Sequence, residues 1–187
     1  MGSKHIKRRL LTYDKPWIRA NPKPPKNRTL LGVAFSTSNY QGVLKLQHCS
    51  ICDAVNYPPR ELCRNCLSDD LLWKDTPPQG EILSVSELHH SQWEFFKRKI
   101  EKAPWPIATV LLAEQVLFAH LAQHTFSDID SKKPLAEALP AGLPIKVFTA
   151  SDSTFNSVLI AVSESTEIDT VAQRIAIVDE LGLRVAA

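Results

Sequence analysis

The chain has 187 residues, of which 44% are hydrophobic and 22% charged, the balance of an ordinary globular protein with one or two small domains. It contains no apolar run of membrane-spanning length and no signal-peptide core, so we expect a soluble protein in the reducing cytoplasm. The net charge of +2 hides an uneven distribution, because residues 1–28 hold nine Lys or Arg against one acid.

Residues 1–29 are predicted to form a basic, proline-rich arm. Four prolines between residues 16 and 25 exclude a long helix and favour an extended course. A solvated tail and an arm that wraps a partner protein both fit this composition. In the second interpretation, Trp17 is the apolar side chain that holds the arm to the partner.

Residues 30–76 are predicted to form a zinc ribbon. The segment 30–35 is apolar, residues 36–38 are predicted to be a break or cap, and residues 43–46 are predicted to be a strand that leads toward the cysteines. A second strand is predicted at 71–73. The sequence Thr76-Pro77-Pro78-Gln79-Gly80 then ends the module.

All the cysteines of the chain lie inside this ribbon, in two Cys-x-x-Cys pairs separated by ten residues. This spacing places four thiolates within reach of one tetrahedral metal ion. A full four-thiolate shell leaves no position for water or substrate, so we expect a structural metal. Zinc is the default, although iron suits the same ligands, and two disulfides would require an oxidising compartment. The predicted ligands are Cys49, Cys52, Cys63 and Cys66.

Residues 77–163 are predicted to form a small all-β barrel. Residues 82–88 alternate in strand fashion, residues 107–112 and 116–121 form a hairpin, and residues 144–149 and 157–162 form a last pair. Five short strands over this length suggest an OB-fold. A short helix is predicted between the third and fourth strands, at 134–139.

A helix is predicted at residues 91–103, between the first two barrel strands. Ser91 and Glu94 form a capping-box pattern. Trp93, Phe96 and Ile100 fall on one stripe that either covers a barrel end or forms a ligand or partner surface. The cations around this helix are Lys97, Arg98, Lys99 and Lys102.

Residues 164–187 are predicted to contain a C-terminal helix. Thr166 and Asp169 give its start signal and Gly182 its end. Its apolar stripe would dock on its own barrel or on another subunit, which leaves homo-oligomerisation open. The stripe comprises Ile168, Val171, Ile175 and Val178.

The sequence contains no motif of a known catalytic centre, neither a phosphate-binding glycine loop nor a nucleophile elbow nor a metalloprotease helix. Its candidate bases are histidines, and exposed polar strand positions are their commoner explanation. We therefore do not expect an independent enzyme. These histidines are His89, His90, His120 and His124.

The order of these motifs resembles a known family. A Cys-x-x-Cys pair, Pro58-Pro59-Arg60, a second pair, Trp73 and Gly80 ahead of a strand are similar to the acyl-CoA-associated proteins that join a rubredoxin-like zinc ribbon to an OB-fold. That family was long filed as a domain of unknown function. The resemblance covers residues 40–163 and departs from the family pattern at Asn39-Tyr40, where the family has an aromatic pair.

The resemblance implies a non-catalytic accessory subunit of lipid metabolism that binds a thiolase-like or hydratase-like enzyme and helps to hold acyl-CoA. Cations would contact the phosphates of CoA, and an indole could pack on its adenine or pantetheine. The candidate CoA contacts are Lys97, Arg98, Lys99, Lys102 and Trp105. The candidate partner contacts are Trp17, Arg60, Trp93 and Phe96.

A nucleic-acid-binding ribbon and barrel is the alternative function. Single-strand binding needs a basic groove with exposed aromatic side chains. Residues 81–163 carry seven Lys or Arg against nine acids, which makes the barrel a poor phosphate-binding surface. We therefore expect a thiolase-like protein and acyl-CoA as partners, without nucleic acid or membrane.

Overall fold

The structure is a computed structural model that describes residues 29–91, 97, 99–100, 104–127, 133–152 and 155–185. The predicted arm and most of the predicted helix at 91–103 lie outside these residues. The described chain is mainly β, with a zinc-ribbon sheet followed by a closed barrel and flanking helices, which confirms the predicted fold class. In this part of the chain, every helix is too short or too polar to cross a membrane.

The described chain begins with a helix that the sequence analysis did not predict, α1 (Leu30–Ser38). The side-chain oxygen of Thr29 accepts a hydrogen bond from the N–H of Gly32 at 3.1 Å, an N-cap arrangement. The break predicted at residues 36–38 is instead the last turn of α1. There the hydroxyl of Thr37 donates to the carbonyl of Val33 at 3.0 Å, so the hydroxyl has a hydrogen-bond partner within the helix.

The ribbon contains a three-stranded antiparallel sheet with its first strand in the centre. Leu46, on that strand, and Leu44, just before it, are almost completely buried and belong to the same core as the barrel interior. The central strand therefore connects the ribbon to the barrel. The three strands are β1 (Lys45–Cys49), β2 (Val55–Asn56) and β3 (Leu71–Asp75).

All five predicted barrel strands are present, and they close in the order β4-β5-β6-β8-β7. The third strand runs parallel to the fifth, and the first strand pairs with the fourth, which is the pairing of a five-stranded Greek-key barrel. Ala113 and Glu114 form a tight turn with positive φ at both residues, as a two-residue hairpin requires. The strands are β4 (Gln79–Leu88), β5 (Trp105–Leu112), β6 (Gln115–Leu121), β7 (Pro144–Ser151) and β8 (Ser157–Ser163).

A short helix separates the third and fourth barrel strands, as predicted. It is α2 (Leu135–Ala138), and Leu135 buries its side chain in the barrel core. A single 3₁₀ turn, Gln123–Thr125, precedes it.

Lys97, Lys99 and Ile100 of the predicted insertion helix are helical.

The C-terminal helix, α3 (Val171–Leu181), starts later than predicted. Its cap is Thr170, which exchanges hydrogen bonds with Gln173 in a capping box, so the predicted start signal at Thr166 and Asp169 is wrong. The capping-box pattern is a Ser or Thr followed three residues later by an acid or amide, and it fits both Thr166 and Thr170. Only the backbone geometry shows which of the two caps the helix. Gly182 ends the helix with a φ of +66°, as predicted.

The helix α3 docks on its own barrel, against the outer face of β7 and β8. Phe148 and Ile160 from these strands form a second core with Ile177 and Val178 of the helix. The predicted stripe is therefore partly wrong, because Ile175 is 40% exposed. Arg174 is buried instead, and its Nη1 donates to the carbonyl of Ile168 at 2.9 Å.

Buried hydrogen bonds join the ribbon to the barrel. The hydroxyl of Thr149, on β7, donates to the carbonyl of Asn39 at 2.8 Å. The side chain of Asn39 in turn accepts from the N–H of Lys45 at 2.7 Å and donates to its carbonyl at 3.1 Å. Gly42 packs so closely that a Cβ there would lie 2.8 Å from Val185. The start of β1 is therefore fixed against the barrel and the C-terminal segment.

Candidate metal centre

The two Cys-x-x-Cys pairs fold into matching knuckles. In the first, the N–H of Asp53 donates to the carbonyl of Cys49 at 2.9 Å; in the second, the N–H of Leu67 donates to the carbonyl of Cys63 at 3.0 Å. Asp53 and Leu67 each follow the first cysteine of their pair by four residues, and both have positive φ, 54° and 62°. The same backbone path therefore presents both pairs of thiols.

The four cysteine sulfurs converge on one point. Their Sγ atoms all lie within 4.8 Å of one another. The Cys49–Cys66 and Cys52–Cys63 sulfur distances are 3.5 and 3.6 Å. A tetrahedral zinc ion with bonds of about 2.3 Å places its sulfurs about 3.8 Å apart, so the arrangement fits zinc. The four thiols are thus positioned to bind a structural zinc ion, as predicted.

Hydrogen-bond donors around Cys63 favour its thiolate form. The backbone N–H groups of Cys66 and Asn65 lower the pKa of the Cys63 thiol to about 6. Asn56, which is buried, points its Nδ2 at the same sulfur at 3.8 Å, while its Oδ1 accepts from the N–H of Arg64 at 2.9 Å. A metal ligand must be deprotonated, so these donors prepare the site for the ion.

The loop between the knuckles is held by Gln47, a buried residue of the central strand. Its Oε1 accepts from the backbone N–H of Arg60 at 2.7 Å, and its Nε2 donates to the carbonyl of the same residue at 3.2 Å. The predicted partner contact Arg60 is exposed, so its backbone is fixed while its side chain faces outward. Neither Gln47 nor Asn56 could be identified from the sequence, because each acts through contacts that only the folded ribbon brings together.

His48 does not join the metal ligands, although it is adjacent to Cys49. Its Nδ1 lies 4.0 Å from the carboxylate of Asp53. Burial, followed by the nearby Lys74, lowers the pKa of the imidazole below its usual 6.5. The candidate metal ligands are the four cysteine sulfurs.

Of the predicted CoA contacts, Lys99 and Trp105 lie together at one end of the barrel. The ammonium of Lys99 is 5.9 Å from the centroid of the Trp105 indole ring. It also lies beside Gly182, at the C-terminus of α3, where the helix dipole favours a cation. Trp105 is 8% exposed, so little of its surface is available to a ligand.

His120 lies against the same indole. The Nε1–H of Trp105 donates to Nδ1 of His120 at 2.9 Å. Burial lowers the pKa of His120 to about 4, so the ring is neutral at physiological pH. The solvent-facing position expected for the strand histidines does not hold for this one.

The remaining predicted site residues are dispersed or fall outside the described residues. Lys97 is exposed, and His89 is exposed beside Glu87. His124 lies in the 3₁₀ turn, 3.2 Å from the carboxylate of Glu180. Those outside the described residues are Trp17, Trp93, Phe96, Arg98 and Lys102.

Residues 40–71 match a family model described as the ChsH2, rubredoxin-like zinc ribbon domain. Among solved structures, the chain is similar to the Ltp2–ChsH2 (DUF35) aldolase, at 19% identity and a TM-score of 0.50, over 76% of this chain and 98% of that chain. It is also similar to a protein of unknown function of the DUF35 family from Sulfolobus solfataricus, at 14% identity and a TM-score of 0.43, over 83% and 98% of the two chains. No curated protein sequence matches it.

These findings confirm the predicted resemblance. The matched segment contains both cysteine pairs and the Pro58-Pro59-Arg60 sequence between them. At its low sequence identity, the likeness to the Ltp2–ChsH2 (DUF35) aldolase establishes the fold alone.

The first prediction concerns Asn56. Asn56→Ala removes the amide that approaches the Cys63 sulfur and the acceptor for the N–H of Arg64. Because such outer contacts orient metal ligands, we expect the zinc dissociation constant to rise about 10–100-fold. Competition with a chromogenic chelator measures the change. Ser50→Ala, at an exposed position in the first knuckle, is the matched control and should leave the affinity unchanged. Equal affinity in both variants would contradict the assigned role.

The second prediction concerns the pH dependence of stability. The pKa of His120 is about 4 in the folded chain and about 6.5 in the unfolded chain. Between pH 6.5 and pH 4, this imidazole therefore gains a proton only when the chain is unfolded. The free energy of unfolding should therefore fall by roughly 2 kcal/mol between pH 7 and pH 5 through this residue. Urea titrations at both pH values measure it.

His120→Gln keeps an acceptor for the Trp105 indole and should remove this part of the pH dependence. His89→Gln, at an exposed position, serves as its control and should behave like the parent chain. An unchanged pH dependence in the His120 variant would show that the imidazole is not held neutral by burial.

Proposed function

We propose that this chain is a non-catalytic accessory subunit that binds a thiolase-like enzyme and helps to hold its acyl-CoA substrate. The observation that carries the proposal is the likeness to the Ltp2–ChsH2 (DUF35) aldolase, in which a chain of the same ribbon-and-barrel fold is described together with a second protein. The match of residues 40–71 to the ChsH2 zinc ribbon domain supports the same assignment.

The metal centre supports a structural role. Four thiolates complete the tetrahedral shell that zinc prefers, and a catalytic zinc ion keeps one position open for water or substrate. Zinc at this site would stabilise the folded ribbon, on the order of 10 kcal/mol in sites of this type. The ion would therefore hold the shape of a binding surface.

The surroundings of the candidate bases also favour an accessory subunit. His120 accepts a hydrogen bond from an indole, and His124 lies beside the carboxylate of Glu180. A general base in acyl transfer needs a nucleophile or substrate proton within hydrogen-bond reach. The contacts of these two histidines are those of packing and surface charge.

The outer face of β6 carries large apolar side chains that are exposed to solvent. We infer that another protein covers this face. Val116 and Phe118 lie two residues apart on this strand and are 54% and 67% exposed, whereas Leu117 and Ala119 between and after them point into the core. Exposed apolar surface on one face of a strand is available for contact with another protein. The thiolase-like partner would bury them.

Among the predicted CoA contacts that the structure describes, Lys97 is the most accessible. It is exposed, while Lys99 is engaged at the end of α3 and Trp105 is buried. An exposed ammonium on the insertion can reach the phosphates of a CoA molecule held in a partner's active site. We therefore place CoA at the boundary between the two subunits.

The prediction is that the tagged chain, isolated from its native host, carries a thiolase-like protein in equal amount. Mass spectrometry identifies the co-purifying protein, and titration calorimetry compares acyl-CoA binding to the complex and to the chain alone. We expect measurable CoA affinity in the complex and much weaker affinity in the free chain. Turnover of acyl-CoA by the free chain would contradict the accessory role.

Charge reversal then tests the CoA contact separately from assembly. Lys97→Glu should weaken CoA binding by the complex about tenfold, since a charge-assisted contact contributes about 1.5–3 kcal/mol when fully made. Lys133→Glu, also exposed, should leave it unchanged. Equal CoA affinity in the two variants would remove Lys97 from the proposed site while leaving the subunit assignment intact.

A further inference from the structure

A groove lies between the first turn of α1 and the loop that joins the two knuckles. Its volume of about 520 Å³ is within the range of pockets that hold compact ligands. The wall is mostly apolar, and one of its residues carries a charge. The groove is lined by Thr29, Leu30, Leu31, Gly32, Pro58, Pro59 and Glu61.

The helix on one side of this groove is apolar and only partly covered. No residue of α1 is buried, although the helix holds two leucines, a valine and a phenylalanine. Its inner side is held by Phe35, whose ring lies 6.1 Å from Tyr57 and 6.0 Å from Trp73. On its outer side Leu30 is 88% exposed and Val33 is 45% exposed. Burial of these side chains would stabilise the protein.

The N-terminal segment of the same chain is long enough to reach this groove. Residues 1–28 lie outside the described part, and Thr29, which follows them directly, is itself part of the groove wall. Trp17 is twelve residues away, a stretch that spans at most about 40 Å when extended and can also fold back. Such a tether gives an effective concentration on the order of millimolar.

The chemistry of residues 15–19 complements the groove. The segment Lys15-Pro16-Trp17-Ile18-Arg19 places two large apolar side chains between two cations. The groove offers leucine and proline side chains for the apolar pair and the carboxylate of Glu61 for a cation. The same carboxylate opposes an anionic ligand such as the phosphates of CoA.

We propose that residues 15–19 of the same chain occupy this groove, with the Trp17 indole against Leu30 and the two prolines. An indole gains a large apolar burial at a small cost in side-chain freedom, which makes it the strongest candidate within the segment. The docked segment covers the outer side of α1 in the free protein. The proposal goes beyond the accessory role and does not depend on it.

Photo-cross-linking in the full-length, zinc-loaded chain tests the proposal. The photoreactive residue benzoylphenylalanine replaces Trp17 in one protein and Ile18 in another, so that a misfit at one position does not decide the result. After irradiation, a product of monomer mass should contain cross-links from this residue to peptides spanning residues 29–33 or 57–62. Mass spectrometry of the digested product locates them.

Groove variants define the site. Leu30→Asp changes a side chain that is almost fully exposed, so the fold is retained, and it should lower the cross-link yield about tenfold. Ile175→Asp makes the same kind of change at a residue of α3 that is 40% exposed, and it should leave the yield unchanged. Glu61→Lys should also lower the yield, and Arg19→Glu in the same chain should restore part of it.

Two results would overturn the proposal. Cross-links confined to a product of dimer mass would assign the groove to a second copy of the chain. Cross-links to barrel strands alone, or the absence of cross-links from both positions, would show that residues 15–19 do not lie in the groove. Zinc content and circular dichroism, measured for every variant, confirm that each protein is folded.

Discussion

The requirement that four thiolates meet at one point determines the shape of the ribbon. Both knuckles adopt the same backbone path, and each needs a residue with positive φ four positions after its first cysteine, Asp53 and Leu67. Leucine is costly in this conformation, by about 1–2 kcal/mol. The protein accepts this cost because the turn is what aims the Cys63 and Cys66 sulfurs at the ion.

The strand β1 connects the metal ligands to the barrel. The strand ends at Cys49, carries Gln47, which holds the loop between the knuckles, and places Leu46 in the barrel core. Just before it, Asn39 bonds to both backbone groups of Lys45 and accepts from a residue of the barrel wall. The ribbon and the barrel therefore share one core, and a metal ion that orders the knuckles also supports the packing of β1 against the barrel.

The sequence predicts the metal ligands and the barrel strands because these features depend on local information. Cysteine spacing gives the ligand set directly, and period-two alternation gives the strands. The contacts that hold the strands and the ribbon together join residues that are far apart in the sequence. The bond from Thr149 to Asn39 joins residues 110 positions apart, and the burial of Trp105 depends on His120 of a neighbouring strand. The helix α1 was missed because its apolar run ends in Ser and Thr, which favour caps and turns except where a fold satisfies them.

X-ray absorption at the zinc edge, combined with metal analysis of the protein from its native host, tests the central claim most directly. This claim is that one saturated four-thiolate site organises the ribbon and takes no part in chemistry. We expect one zinc ion per chain with four sulfur neighbours at about 2.3 Å, unchanged when the partner enzyme and acyl-CoA are added. A shell that contains nitrogen or oxygen, or one that changes when acyl-CoA binds, would contradict it and indicate a metal with an open, reactive position.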